Sequence, residues 1–128
     1  MNLRFPYDTS YDGQAIPVVD LSLSGRRPDT IISLTGLLDS GADATMIPKH
    51  FLEAIDARRT DVAWARTVAG NRYRVDLFLV TMTVGSIQLR SVEVISNAQT
   101  NEIIIGRDVL NQLIVTLDGP ALEVTIED

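Results

Sequence analysis

Short apolar runs with a period of two, each cut off by Gly, Pro or Asp, recur along this chain and leave no room for long helices. Ile16-Pro17-Val18-Val19-Asp20-Leu21-Ser22-Leu23 alternates toward its end, and Gly25-Arg26-Arg27-Pro28-Asp29 breaks it. Ile31 to Leu38 is apolar enough for a buried strand that runs into Asp39. Arg58-Arg59-Thr60-Asp61 reads as a polar loop. Arg66-Thr67-Val68 and Arg72-Tyr73-Arg74-Val75 flank Ala69-Gly70-Asn71, which reads as a hairpin tip. Val75 to Val84 continues as a strand, Gly85-Ser86 turns, and Ile87 to Ile95 alternates cleanly. Leu113 to Ile126 supplies two strands around Asp118-Gly119-Pro120. One or two short helices complete the pattern. Pro48 can open Lys49 to Ile55, with Leu52 and Ile55 inward and Lys49, His50 and Glu53 on a solvated face. Arg107 to Leu113 suits the second. No linker, repeat or low-complexity segment interrupts residues 1–128, so the expectation is one mainly-β domain, with residues 1–12 as an N-terminal arm.

Composition narrows the chemistry. The chain has 128 residues, 45% hydrophobic and 22% charged, enough for one domain with a real core. Its net charge is -6 and no basic patch stands out, which argues against nucleic-acid binding. Doubling that charge in a dimer would disfavour acidic substrates at long range. The absence of cysteine excludes disulfides, thiolate chemistry and cysteine-built zinc sites. The lone His50 excludes a multi-histidine metal site and makes a histidine triad a poor fit. No metal or cofactor is implied. No apolar run is long enough for a signal peptide or a membrane helix, and a cytoplasmic location is the expectation.

One acidic motif stands out: Leu37-Leu38-Asp39-Ser40-Gly41-Ala42-Asp43. Asp-Ser-Gly alone is a weak signal, because all three residues favour surface turns. Here it follows two leucines and precedes Ala42, Thr45, Met46, Ile47 and Pro48, so the acid is set in apolar sequence. Leu37 and Leu38 would anchor the strand and keep the site dry. Gly41 permits a tight turn, and its N–H can reach the carboxylate. Ser40 supplies a hydroxyl able to donate and accept, including across to a second chain. Two carboxyls in one site share a single proton, so one acts as base and the other as acid. This motif occurs once, so a second carboxyl would have to come from a second chain.

Together with Ile104-Ile105-Gly106-Arg107-Asp108-Val109-Leu110, the Asp39 segment resembles the retropepsins, the single-domain aspartic proteases of retroviruses and their cellular relatives. The resemblance implies a homodimeric acid-protease barrel with one catalytic aspartate, Asp39, from each chain. It implies that Ser40 and Gly41 support the catalytic loop. Gly106 and Arg107 would brace it from behind, and Arg107 would pair with Asp43. It implies a flap at Val68, Ala69 and Gly70, although viral flaps are richer in glycine. Gly41, Ala42, Asp43 and the flap would then contact an extended peptide substrate. Ala42, Val68, Ala69 and Ile105 would give apolar pockets and a preference for large apolar side chains. Trp64, just upstream of the flap, would either pack under the flap or lie in the core, where a lone tryptophan more often sits. The arm is expected over the cleft or the dimer interface. The tail is either part of an intersubunit sheet or an edge strand within one subunit.

Three functions fit these residues: an aspartic endopeptidase acting as a homodimer, a non-catalytic peptide-binding or dimerisation module on the same fold, and an unrelated β-barrel whose Asp39 caps a turn.

Overall fold

The computed structural model describes residues 2–98 and 100–128, so Met1 of the N-terminal arm lies outside the described residues. Strands dominate. β2 (Val18–Ser24), β3 (Ile31–Leu38), β4 (Met46–Pro48), β6 (Arg72–Val84), β7 (Ile87–Asn97) and β8 (Ile104–Ile105) form a ring. β2 pairs with β3, β3 with β8, β8 with β4, β4 with β7, β7 with β6, and β6 returns to β2. Closure removes the exposed strand edges that an open sheet would present.

The 13-residue β6 is the pivot of this arrangement. One of its edges is covered by β7. The other is shared: Thr81, Met82 and Thr83 pair with β2, while residues from Arg72 to Leu79 pair with β5 (Arg58–Arg66). The β5–β6 hairpin therefore extends past the ring. A bulge between Arg59 and Asp61 interrupts it near its root.

Alternation inside the ring builds the core. Leu23, Ile47, Met82, Val94 and Ile105 are at most 1% exposed, and each fully buried side chain of this size contributes roughly 1.5–3 kcal/mol. Helix α1 (Lys49–Ala54) lays Leu52 into the same cluster. Past its end, Ile55 is buried, and the exposed Arg26 holds the Asp56 carboxyl below its ordinary value by hydrogen bond and charge. A second sheet of β1 (Leu3–Pro6), β10 (Glu123–Ile126) and β9 (Val115–Asp118) packs Val124 and Ile126 into the core. No residue between Ala57 and Phe78 joins that core cluster.

Several expectations change. Arg58 to Asp61 is not a loop but the start of β5, whose partner β6 continues opposite it. β3 is not a buried run: Ile31 is 61% exposed, because a ring strand shows one face to solvent. Trp64 is 62% exposed rather than core. Residues Leu3–Pro6 of the arm form β1 and pair with β10 of the same chain. The tail is the central strand of that sheet, not an edge. Helix α2 is confined to Arg107–Leu110, with turns carrying on to Leu113.

Replacing Ile126 with Ala should cost about 2–5 kcal/mol, since it opens a cavity in a fully buried position. Chemical unfolding would read this as a lower midpoint at an unchanged slope. An unchanged midpoint would separate the terminal sheet from the cooperative core.

Candidate active site

Asp39 sits one residue past the end of β3, and both edges of that strand end are occupied. On one side the Leu38 N–H donates to the Pro17 carbonyl at 3.1 Å. On the other, the Leu37 N–H donates to Ile103 at 2.8 Å and the Asp39 N–H to Ile105 at 3.0 Å. The parallel pairing of Leu37 with Ile104 and Leu38 with Ile105 thus delivers the acid at a fixed point. The chain then turns. Ala42 N–H donates to the Asp39 carbonyl, and Gly41 N–H donates to Asp39 Oδ1 at 2.9 Å. Asp39 is half-buried, while Ser40, Gly41 and Asp43 are exposed.

The segment from Gly106 to Asp108 braces this turn at several points. Arg107 N–H donates to the Ala42 carbonyl at 2.9 Å. The Arg107 side chain donates from Nη1 to the Ser40 carbonyl at 2.7 Å and from Nη2 to Asp43 Oδ1. Gly106 lies so close that an added Cβ would stand 2.6 Å from the Ala44 carbonyl carbon and 2.7 Å from its oxygen. Only a residue without a Cβ lets the two segments meet.

A further pair, absent from the sequence expectations, locks the contact. Thr45 is fully buried, and its hydroxyl donates to Asp108 Oδ1 at 2.7 Å while accepting the Gly106 N–H at 3.1 Å. The same carboxylate takes the Thr45 N–H at 3.1 Å and the Val109 N–H at 2.8 Å. Thr45 and Asp108 lie 63 residues apart in sequence. The available signal was their place inside the two sharp segments, the hydroxyl in Ala44-Thr45-Met46 and the acid after Arg107.

Of the other expected site residues, Ala42 is half-buried beside the turn. Val68, Ala69 and Gly70 form the tip of the β5–β6 hairpin, closed by Thr67 N–H to the Asn71 carbonyl and Gly70 N–H to the Thr67 carbonyl. Gly70 has φ +88°, a conformation that glycine adopts without strain. Val68 is fully exposed and a Cβ at Gly70 would meet open space, so within one chain the tip does not rest on the Asp39 turn. Ile105 is 1% exposed and belongs to the core, not to a pocket wall. Asp43 pairs with Arg107, as expected, but at the surface. Its side chain is 91% exposed, and only one guanidinium nitrogen reaches it while the other serves Ser40.

Beside the turn lies an apolar depression of about 280 Å³, lined by Leu38, Ser40, Leu110, Leu113, Val115 and Leu117. Leu117 and the neighbouring Ile114 are 55% and 63% exposed. Among the described residues no cluster of His, Asp and Glu could hold a metal ion. No described helix is long and apolar enough to cross a membrane.

Removing the Thr45 hydroxyl by Thr45→Val should cost about 1–3 kcal/mol, because the Asp108 carboxylate loses one of its donors and the buried Gly106 N–H loses its acceptor. Asp43→Ala should cost less than about 1 kcal/mol, as exposed ion pairs do. Arg107→Ala should cost clearly more than Asp43→Ala, since it also strips the Ser40 carbonyl. Thermal melts of the three variants order these effects, and equal losses for Asp43→Ala and Arg107→Ala would put the brace in the ion pair after all.

Solved structures share this architecture. A retropepsin-like aspartic protease from Rickettsia conorii superposes with a TM-score of 0.64 at 9% identity, over 98% of this chain and 90% of that one. The EIAV protease, in its complex with the inhibitor HBY-793, superposes with a TM-score of 0.59 at 19% identity, over 80% of this chain and 91% of that one. At such identities the likeness is one of fold. No curated protein matches the chain in sequence. The family model of the gag-polyprotein putative aspartyl protease matches residues 32–112, which span both the Asp39 turn and its Gly106–Asp108 brace. The chain belongs to that family of retropepsin-like aspartic proteases.

Proposed function

We propose that residues 1–128 act as one domain that dimerises and hydrolyses peptide bonds, with Asp39 of each chain supplying one half of the catalytic pair. The observation that carries this reading is a single braced Asp-Ser-Gly turn, half open to solvent, beside an uncovered apolar depression. A lone carboxylate lacks the acid partner that carboxylate-driven hydrolysis requires. A second copy set on Leu117, Ile114 and the depression would cover apolar surface and bring the second Asp39. Ser40 is exposed next to that surface, and in such a dimer its hydroxyl would bond across the two-fold axis.

In such a pair one carboxyl is ionised and the other protonated, since two like charges in one site cannot both persist cheaply. The ionised carboxylate takes a proton from a bound water as its oxygen adds to the peptide carbonyl. The protonated carboxyl hydrogen-bonds and protonates the carbonyl oxygen, giving a tetrahedral diol. The roles then reverse, a proton passes to the departing nitrogen, and the C–N bond breaks. The Gly41 N–H, already on Asp39 Oδ1, holds the carboxylate in plane. An extended peptide would lie between the Asp39 turns and the β5–β6 hairpins, which act as flaps. It would be bound through its main chain as an added strand, with Gly41, Ala42 and Asp43 below and Val68, Ala69 and Gly70 above.

The intact acid, hydroxyl and glycine favour catalysis over a non-catalytic module on the same fold. Wild type and Asp39→Asn, incubated with a mixed peptide library from acidic to neutral pH, separate the two. The wild type should cleave and Asp39→Asn should not, while sedimentation shows both to be dimers. Equal cleavage by the two proteins would remove Asp39 from the chemistry. Monomers at concentrations that support cleavage would remove the shared site.

A further inference from the structure

Charge is sharply segregated in this acidic chain. Residues 58–76 hold five arginines against Asp61 and Asp76, a net of +3 where the whole chain carries -6. The hairpin register sorts them onto faces, because directly opposed residues share a face and faces alternate along a strand. Arg59 opposes Phe78, Trp64 opposes Arg74, and Arg66 opposes Arg72. These residues therefore share one face, which the 7%-exposed Phe78 continues into the barrel interior. The acid on that face, Asp76, lies 3.7 Å from Arg59. Among the described residues, Arg66, Arg72 and Arg74 have no carboxylate within ion-pair distance. The Arg72 guanidinium lies 5.1 Å over the Trp64 ring, which orients the cation without neutralising it.

The root of this face opens into a cavity of about 710 Å³. Arg59, Arg74 and Lys49 reach it, with Met46 and Ile104 also on its wall and Glu102 as its second acid beside Asp76. Ile104 directly precedes Ile105, whose carbonyl receives the Asp39 N–H. The wall of this cavity is thus continuous in chain with the strand end that fixes the acid turn.

We propose that this hairpin face selects acidic peptide: an extended chain with Asp or Glu close to the bond presented to Asp39. The inference rests on the endopeptidase reading above and names its substrate class. Guanidinium forks pair with carboxylates through two parallel hydrogen bonds, and Arg66, Arg72 and Arg74 hold theirs open. The rest of the chain repels acidic ligands at long range, so only acids that come within about 10 Å of the face at 0.1 M salt gain from it.

Binding is measured apart from cutting by using the full chain with Asp39→Asn. Two labelled peptides share an apolar central pair, one flanked by Glu and the other by Gln, and anisotropy reads their affinities at low and high salt. The Glu peptide should bind about tenfold more tightly at low salt, as charge pairs at an interface do, and the margin should shrink as salt rises. Arg72→Gln with Arg74→Gln should erase the margin, and Arg66→Gln alone should reduce it if the double variant folds poorly. Equal affinities for the two peptides, a margin indifferent to salt, or tighter capture of a single-stranded oligonucleotide than of the Glu peptide would overturn the proposal. If the Glu margin holds while the wild type cuts neither peptide, the endopeptidase reading fails and the assignment of the face stands.

Discussion

One carboxylate holds the Asp39 turn in place, and it is not Asp39. Asp108 gathers the Thr45 hydroxyl, the Thr45 N–H and the Val109 N–H, while the Thr45 hydroxyl takes the Gly106 N–H. Hydrogen bonds to an ionised acceptor are about twice as strong as neutral ones, and these form beside a fully buried threonine. They weld the end of the acid turn to the start of α2. The welded unit then carries the contacts of Arg107 with Ala42, Ser40 and Asp43. Without that weld, the position of Asp39 would rest on the contacts of its strand end and on those of Arg107.

The weld also explains the demand for glycine at position 106. The two segments approach until the Ala44 carbonyl occupies the space a side chain would need. A short parallel pairing, two residues each from β3 and β8, suffices to set the register because the loops beyond it are fastened. Secondary structure here is brief, and side-chain bonding supplies the precision.

Much of this was legible in the sequence. The strands and the hairpin tip at Gly70 follow from alternation and turn residues, and the inward Leu52 and Ile55 from helical spacing. The Asp39 turn and its Arg107 brace were legible because both segments are sharp in type and order. Other features were not. Arg58 to Asp61 looks like a loop because β5 runs past the barrel and has little apolar surface to bury. Trp64 was expected inside because a large ring usually is, yet it lies outside the core cluster with a guanidinium over it. The Thr45–Asp108 bond joins residues far apart in sequence, and single-residue patterns do not encode such a pairing. The basic character of the hairpin was hidden by the net charge, which averages over faces that only the register separates.

The hydrophobic cluster skips from Ala57 to Phe78. Apart from the buried Val75, selection for a stable core therefore has little hold on the hairpin in between. Exposed side chains there can be exchanged at small cost to folding, whereas Gly106 and the buried Thr45 of the weld have no such freedom. If the hairpin sets ligand preference as proposed above, that preference can drift quickly under mutation while the acid turn stays fixed, and relatives with the same turn need not share it.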